Sequence, residues 1–416
     1  MILGKYSFGI GDRFGHQGRA QLAAVMKARA QGVDITPVWN KSNREHGIIG
    51  TRPADVRKEA DAAVAACGFQ SRYYVDADHI GLTTVDAFLD ASDFFTLDVA
   101  DSIGRPAPDD QVQAFVKKHK DLLGSHRIEG IDERLVIDEP QLRALVTKYL
   151  VAVRQAGETF RHIEARKGVG RFVTEVSMDE TDTPQTPLDL LVILAALADE
   201  GIPAQTIAPK FSGRFNKGVD YVGSVEQFAR EFAQDLAVLG FAVAHFRLPA
   251  NLKLSVHSGS DKFSIYRPIH RALQESDAGV HVKTAGTTWL EELIGLALAG
   301  GDGLALAKDV YANALRRLDE LCGPYATVID IDRAKLPDPE EVRRWDGAQF
   351  AATLRHDRRC PQYNPSVRQL LHVGYKVAAE MGPRFTEALN RHEAIIAETV
   401  TANLYDRHLA PLFLAT

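Results

Sequence analysis

In the run Tyr73-Tyr74-Val75-Asp76-Ala77-Asp78-His79, an apolar segment leads directly into two carboxylates and an imidazole. Two later runs, Leu252-Lys253-Leu254-Ser255-Val256-His257 and Val280-His281-Val282-Lys283, also carry a histidine at or near the end. A fourth, Arg171-Phe172-Val173-Thr174-Glu175, ends at a carboxylate. β-Branched and aromatic residues favour strands, so these runs are predicted to be strands with polar ends. If the strands are parallel and close into a barrel, all four ends meet at one mouth, where such folds place their active sites.

Strand-like segments alternate with helix-like ones along the chain. Helices such as 187–199, 225–239 and 288–298 are long enough to cross over between parallel strands. Eight strands with such connections favour a (β/α)8 barrel of the TIM type, within the α/β class, over an open sheet. The predicted strands are residues 6–11, 34–39, 72–78, 94–99, 171–176, 205–211, 252–257 and 280–284.

Two stretches interrupt this alternation. Residues 109–167 are mostly helical and charged, and they are too long for one strand-to-helix loop. We therefore expect a helical insertion at the mouth, spanning about residues 105–168. From Pro337 onward the chain is helical again. The predicted organisation is a catalytic barrel at residues 1–336 that carries the insertion, followed by a C-terminal helical extension, residues 337–416, packed on the barrel.

Composition limits the possible partners and location. Of the 416 residues, 45% are hydrophobic and 25% charged, as in an ordinary globular protein. The net charge of -6 argues against nucleic acid as the main partner, since phosphate binding normally needs a basic face. Three scattered cysteines favour a reducing cytoplasm over a disulfide framework. There is no signal-peptide pattern and no apolar run near the roughly 18 residues that span a bilayer, so we expect a cytoplasmic protein without a membrane partner.

The end of the 73–79 run has two interpretations. Asp76 and Asp78 fall on one face of the strand, and His79 enters the following loop. The aspartates could simply cap the next helix. The alternative is a site, and it is favoured because two tyrosines and a valine lead directly into these residues.

Taken together, the residues at the other strand ends also favour a functional site. His281 and Lys283 are two residues apart and face the same side, and burying an imidazole and an ammonium is costly without a purpose. Burial of Glu175 carries the same cost. A lone histidine such as His257 is often only a hydrogen-bonded core residue. Four such groups at strand ends favour a site, and imidazoles with carboxylates suit a divalent transition metal.

Basic side chains near the predicted strand ends could form a clamp for a carboxylate or a phosphate. The alternative is ordinary solvated loop charge, which we expect for Lys217. A nucleotide cofactor is not expected, because the sequence has neither a Gly-x-Gly-x-x-Gly nor a P-loop pattern. The predicted substrate-binding residues are Asp76, Lys210, Arg214, Ser260, Asp261, Lys262 and Lys283.

Several long segments resemble the tagaturonate/fructuronate epimerase family, which includes members of the tagatose 4-epimerase type. The similarity continues into Tyr363-Asn364-Pro365 and Leu371-His372-Val373-Gly374-Tyr375, and so spans nearly the whole chain. The resemblance implies a metal-dependent epimerase that interconverts D-tagaturonate and D-fructuronate and, in some members, tagatose and fructose. The segments that carry it are residues 7–15, 35–46, Asp76-Ala77-Asp78-His79, residues 257–263 and residues 281–289.

The resemblance also implies roles for individual residues. Asp78 would be a catalytic acid/base next to the metal ligand His79, and His257 and His281 would complete the metal site. Glu175 would be the opposing acid/base or a fourth ligand. The ion would be divalent, with Zn, Mn, Ni and Co as candidates. The partner would be a small ketose or keto-uronate, and the sequence leaves the oligomeric state open, a homo-oligomer included.

The chemistry favours a retro-aldol route. The stereocentre that this family inverts lies one carbon beyond the position alpha to the ketone, so the carbonyl does not acidify its C–H. Cleavage and re-formation of the C–C bond avoids this difficulty, with a metal as Lewis acid and carboxylates moving the proton. One alternative is a metal-dependent aldolase or isomerase of sugar phosphates. A non-catalytic sensor of sugar acids is less favoured, because a binding module has little need of a metal flanked by two carboxylates.

Overall fold

Eight parallel strands close into a barrel in this computed structural model, which describes residues 1–284 and 286–414. Each strand pairs with its neighbours in chain order, and the first pairs with the last, with Gly9 opposite Lys283. The predicted (β/α)8 class is confirmed, and all the carboxyl ends open at one mouth. The strands are β1 Tyr6–Ile10, β2 Ile35–Ser42, β3 Tyr74–Ile80, β4 Phe94–Asp98, β5 Val173–Ser177, β6 Thr206–Ala208, β7 Lys253–His257 and β8 Val280–Thr284.

Alternation along the strands gives the barrel an apolar outside and a polar inside. Outward residues such as Val256 and Val282 join the large hydrophobic cluster under the helices. Towards the amino ends of the strands, the interior is sealed by a small apolar cluster that includes Val38, Phe94 and Val173. Barrels of this type usually fill their centre with branched aliphatic residues, whereas here polar side chains occupy the layers nearer the mouth.

Helices cover the barrel between most strands. Serine, threonine or aspartate caps the helices at several of the turns from strand to helix, as at Ser42 and Thr186, and satisfies backbone N–H groups that would otherwise lack partners. Between β3 and β4 the connection is only a single 3-10 turn, Val85–Ala87. The crossover helices are Gly18–Ala30, Pro53–Cys67 with the shorter Asn43–Ile49 before it, Glu139–Lys167, Pro187–Asp199, Val225–Phe246 and Phe263–Ser276.

The predicted insertion lies between β4 and β5. It comprises a helix, Asp109–Lys118, and a small antiparallel hairpin of Gly124–His126 with Leu135–Ile137. The 29-residue helix Glu139–Lys167 that follows leads back to β5, so it is the crossover itself.

The insertion does not lie at the mouth as expected. Lys118 donates to Asp199 at 2.6 Å, and Asp121 pairs with His245 at 2.6 Å. Asp199 and His245 lie at the C-terminal ends of crossover helices, which run antiparallel to the strands. These contacts therefore place the insertion along the flank and towards the closed end of the barrel.

The helices after β8 form a second hydrophobic cluster with Trp289 and Leu293 of the helix Thr287–Ala299. This helical region begins at Gly301 rather than at residue 337, and the last two residues of the expected extension, 415 and 416, lie outside the described part of the chain. Its helices are Gly301–Arg316, Leu318–Cys322, Pro339–Arg343, Gly347–Leu354, Pro365–Val373, Tyr375–Glu380, Pro383–Arg391 and Glu393–Ala402.

Residues 403–413, which we call the closing segment, return to the barrel. The segment is a π-helical stretch, Asn403–Leu409, followed by the helix Ala410–Phe413. The ring of Phe413 lies 5.0 Å from that of Tyr6 and 6.4 Å from that of Phe8, between centroids. The closing segment therefore covers β1, while Thr287–Ala299 packs in the second cluster. None of the described helices is both long and apolar enough to cross a membrane.

Candidate active site

A bulge in β3 turns two consecutive side chains into the mouth. The pairing of β3 with β4 shifts register between Ala77 and Ile80. Within the bulge, His79 has φ +52°, a region that non-glycine residues rarely adopt and that is frequent at functional sites. Asp78 and His79 consequently both line the cavity, although strict alternation would point them to opposite faces.

Lys283 lies at the centre of the mouth. Its Nζ is 2.7 Å from Asp76, 2.9 Å from Asp78 and 2.8 Å from Glu175. Burial opposes the charge of this ammonium, yet the three carboxylates raise the pKa of Lys283 well above its usual value. Three buried carboxylates therefore share one ammonium, so negative charge is in excess around Lys283.

The carboxylates around Lys283 differ in their protonation. Burial raises the pKa of Asp76 to about 7. Burial acts in the same direction on Asp78, but Lys283 and His79 outweigh it and lower the pKa of Asp78 to about 2. Asp78 is thus an ionised carboxylate that reaches the cavity, and Asp76 is the one that takes up a proton first.

Glu175 lies below the cavity and does not line it. Its carboxylate is fully buried, lies 2.8 Å from His257 Nε2 and accepts from Thr206 Oγ1 at 2.7 Å. The predicted role as an opposing acid/base requires contact with substrate, which this placement does not provide. Glu175 instead orients His257 and Lys283.

His79, His257 and Asp179 could hold a metal ion. Each offers a ligand atom, and these atoms lie within 4.8 Å of one another. Asp98 lies 2.8 Å from His79 Nδ1, and Glu175 holds His257 Nε2, so each ring keeps its other nitrogen for the cavity. Burial disfavours a charged His257, but Asp179 at 3.1 Å from Nδ1 raises the pKa of His257 to about 9. A second such group is His79, Asp98 and Glu180.

The structure does not bring His281 to these ligands. His281 precedes Lys283 by two residues on β8, so it points into the barrel one layer deeper. Its Nδ1 lies 2.9 Å from Ser7 Oγ, and its ring packs against Phe94 with centroids 5.3 Å apart. Burial lowers the pKa of His281 to about 3, which keeps it neutral. The structure therefore groups His79 and His257 with Asp179 and not with His281, which we had expected to be the third ligand.

The mouth opens into a cavity of about 270 Å³. Its lining includes the anionic groups just described. Cations and aromatic rings also line it, and they include His372 from the region after β8. This second group consists of Arg13, Arg44, Lys217, Tyr325, His372 and Tyr375.

Three of the predicted substrate-binding residues are fully buried in the framework. Asp261 accepts hydrogen bonds from Arg368 at 2.6 Å and from Thr287 at 2.9 Å. Lys262 donates to the Val219 carbonyl and to Ser260 Oγ, both at 2.8 Å. These side chains hold loops together and do not reach the cavity. We call the group of Asp261, Thr287, His356, Arg368 and His408 the Asp261 cluster.

Lys210 and Arg214 line an adjoining cavity of about 500 Å³. Arg214 is exposed and lies 3.3 Å from Asp330, so it already has a partner. Lys217, which we expected to be solvated, lines both this cavity and the mouth. The loop thus contributes a cation to the site, but a different one from those predicted.

Sequence reasoning missed several residues of the site. Asp179 and Glu180 follow β5 directly, where the same strand-end rule applies, but the apolar run was taken to end at Glu175. Asp98 closes β4 and carries the same signal. His372 has no local signal for a site, because it reaches the mouth only through packing of the helices after β8.

A larger cavity, of about 820 Å³, lies elsewhere and is lined by residues such as Arg57, Asp93 and Lys167. Arg57 there is already paired, 2.6 Å from Asp93, Lys167 donates to the Leu89 carbonyl, and none of the metal-ligand groups found among the described residues lies in this cavity. We therefore take the smaller mouth cavity as the site.

Comparisons with known proteins agree with the fold and the resemblance. The tagaturonate/fructuronate epimerase of Thermotoga maritima is 28% identical over 419 aligned residues, which cover 97% of this chain and 80% of that protein. A crystal structure of the fructuronate-tagaturonate epimerase UxaE from Cohnella laeviribosi with one glycerol has a TM-score of 0.81 at 24% identity, covering 98% of this chain and 81% of that one. The structure with two glycerols has a TM-score of 0.80 at 24% identity, covering 100% and 83%.

A family model described as tagaturonate epimerase (UxaE) matches residues 2–412. The resemblance seen in the sequence is thereby confirmed. Because the match takes in nearly the whole chain, the protein belongs to the tagaturonate epimerase family and is an isomerase.

Proposed function

We propose that the protein interconverts D-tagaturonate and D-fructuronate. With carbons counted from the ketone end, the ketone is C2, the inverted centre C4 and the carboxylate C6. The observation that carries the proposal is the placement of Asp78 beside His79 in a cavity that Arg44 and Lys217 also line. Family membership and the name of the Thermotoga maritima relative support this pair of substrates.

The proposal includes a divalent metal ion held by His79, His257 and Asp179. Two imidazoles and a carboxylate suit Zn, Mn, Ni or Co, and carboxylate-oriented histidines are typical of ligands. The surplus of negative charge around Lys283 also favours a bound cation. When bound, such an ion supplies Lewis acidity to the ketone of the substrate.

We assign the proton at the C4 hydroxyl to Asp78. As the O–H pair becomes the C4 carbonyl bond, the C3–C4 bond breaks. Its electrons form the C2–C3 double bond while the C2 carbonyl pair moves onto oxygen, which gives an enediolate and a three-carbon aldehyde acid. The aldehyde rotates about C4–C5, C3 re-forms the bond on its other face, and the new C4 hydroxyl receives a proton. Asp76 and Asp78 share the Lys283 ammonium, so the pair sets the basicity.

Glu180 is our candidate for the second proton-transfer group. It lines the cavity on the loop after β5, whereas Glu175 does not. Among the described residues Glu180 has no hydrogen bond or ion pair that would commit its side chain elsewhere. A carboxylate there and Asp78 on β3 approach the sugar from two different strands, as inversion at one carbon requires.

Turnover of tagaturonate in heavy water, followed by NMR, tests this proposal. We expect fructuronate without deuterium at C4, because retro-aldol cleavage never breaks that C–H bond. Chelation should abolish turnover, and added metal should restore it. Absence of fructuronate with metal-loaded protein would overturn the activity. Deuterium at C4 at low conversion would overturn the cleavage route while leaving the activity intact.

A further inference from the structure

Two of the cations that line the cavity have no anionic partner among the described residues. Arg13 is paired with Glu45 and lies over the Tyr375 ring at 3.9 Å, so its charge is already used. Arg44 and Lys217 have no ion pair within 4.0 Å in residues 1–284 and 286–414, and both lie near the Tyr325 ring. Glu180 faces Lys217 from beyond that distance. An unpaired ammonium that is largely shielded from water is costly unless a ligand completes it.

The backbone around Lys217 is fixed by contacts from three distant segments. The Lys217 N–H donates to the Val328 carbonyl at 2.8 Å. The Gly218 N–H donates to Ser260 Oγ at 3.0 Å, and its carbonyl accepts from Arg368 Nε at 2.6 Å. The framework residues that do not touch the cavity thus hold Lys217 in place. A cation fixed in this way loses little further entropy when it binds an anion.

His372 lies beside Lys217 with both ring nitrogens unpartnered among the described residues, although only 2% of the residue is exposed. It has little room to move, because a Cβ at Gly286 would lie 1.9 Å from its Cε1 and one at Gly218 would lie 3.1 Å from its Cβ. Burial and the cations Arg13 and Lys217 lower the pKa of His372 well below its usual value. A neutral imidazole confined there offers one N–H donor to a ligand.

The charges that line the cavity therefore orient an anionic sugar. Asp78, Asp98 and Asp179 repel a carboxylate from the acid/base groups, whereas Lys217 and Arg44, which both lie near the Tyr325 ring, attract it. In a keto-uronate the ketone and the carboxylate are at C2 and C6, so one end of the molecule can face Asp78 while the other faces these cations. A neutral ketose has a hydroxyl at C6 and gains nothing from the cations.

We propose that Lys217, with Arg44 and His372, binds the C6 carboxylate of a keto-uronate and makes the site selective for the acid over the neutral ketose. This inference rests on the proposed function, which it deepens by naming the residues that select the acid. It also gives the cations a task during cleavage, since the aldehyde fragment keeps the carboxylate. Lys217 thus holds the fragment while its aldehyde turns over.

Lys217→Met tests the inference, with Arg214→Gln as a control that removes a charge from the same loop. For Lys217→Met we expect kcat/KM for tagaturonate to fall about 10- to 100-fold, as for loss of a hydrogen bond to a charged group. The value for tagatose should change less than about twofold. Binding of both sugars to Asp78→Asn, with and without Lys217→Met, is measured by calorimetry, so the comparison does not need turnover of the neutral sugar. Arg214→Gln should change neither value.

Equal losses for the acid and the neutral sugar, or no loss for either, would overturn the inference. If Lys217→Met does not fold, Lys217→Gln takes its place, and Lys217→Arg should recover part of the preference for the acid. Wild-type protein that turns over tagatose but not tagaturonate would instead overturn the proposed function. Turnover of tagaturonate that is unaffected by either Lys217 variant would overturn the carboxylate site alone.

Discussion

The Asp261 cluster and the charged groups around Lys283 at the mouth are both buried, and they differ in how completely their partners satisfy them. In the Asp261 cluster, Oδ1 accepts from Thr287 and His408, and Oδ2 from Arg368 and His356. One carboxylate faces one guanidinium, and every carboxylate lone pair is used. At the mouth, by contrast, one ammonium faces three carboxylates, and further carboxylates surround two histidines.

Whether a buried charged cluster is fully paired therefore distinguishes structural residues from catalytic ones more reliably than residue type does. A saturated cluster has no capacity left for a ligand, so its contribution is to stability. A cluster with surplus negative charge beside a cavity is completed only by protons or by a bound cation. Asp261 and Asp78 look alike in sequence, since Asp78 ends one predicted strand and Asp261 lies in the loop directly after another. Asp261 stabilises the fold because its partners saturate it, whereas Asp78 remains available to a proton or a ligand.

The largest effect is expected from Asp261→Asn, which breaks the saturated cluster. Arg368 would keep a buried charge without its carboxylate, so the free energy of unfolding should fall by about 3–5 kcal/mol. Urea unfolding measures this change. Asp330→Asn, which breaks the exposed pair with Arg214, should shift it by less than about 1 kcal/mol. A loss as small as that for Asp261→Asn would contradict the view that this cluster holds the fold together.

Asp78→Asn should have the converse effect at the mouth. We expect kcat to fall about 100- to 1,000-fold, because the amide cannot accept the substrate proton. The melting temperature should stay close to that of the wild type, since the change removes one of three carboxylates that compete for Lys283. Rates and melting curves are compared with Asp86→Asn, an exposed carboxylate paired with His162. A near-normal rate would show that Asp78 is not the base.

Metal addition should stabilise the mouth through His257 and not through His281. At a free metal concentration near 100 times Kd, binding adds about 2.7 kcal/mol to the stability of chelator-treated protein. The rise in melting temperature with Zn²⁺ or Mn²⁺ is expected to disappear in His257→Ala. In His281→Ala it should persist, although the cavity left in the barrel lowers the starting value. Loss of the melting-temperature shift in both variants would instead show that His281 is a metal ligand.

The smallest effect is expected beside the saturated cluster, at Lys262. Burial lowers the pKa of Lys262 to about 7, from 10.5 in the unfolded chain. Between these values the unfolded chain binds more protons than the folded one, so stability rises with pH. Below about pH 7 both states are protonated and the penalty is constant. Relative to Lys262→Met, the wild type should gain up to about 1.4 kcal/mol per pH unit above pH 7, measured by urea unfolding. A parallel pH dependence of the two proteins would contradict this.

Most of the barrel was predictable because alternation in each strand is a local signal. All eight strands lie where the apolar runs indicated, with ends displaced by a few residues. β6 is the shortest, since Pro209 offers no N–H to continue the ladder and the chain leaves the sheet after Ala208. The flank position of the insertion depends on contacts such as that of Asp121 with His245, which no local pattern reveals.

The location of the site could be predicted from the sequence, but the contacts among its residues could not. Period-two alternation correctly turned His281 into the barrel but could not give its depth relative to His257. Lys217 belongs to the site and not to solvent because its backbone and that of Gly218 are held by Val328 and Arg368, more than 100 residues away. A charge in a loop is therefore assigned to solvent or to a site only when its distant neighbours are known.

The closing segment has a consequence for the order of events in folding. Phe413 packs on Tyr6 and Phe8 across a separation of about 400 residues. During synthesis at about 5–20 residues per second, β1 has left the ribosome about 20–80 s before its cover exists. In that interval its apolar outer face is open to water and to other chains, so we expect the nascent protein to depend on chaperones until residue 413 emerges. The cover over β1 is therefore the last part of the barrel to be completed.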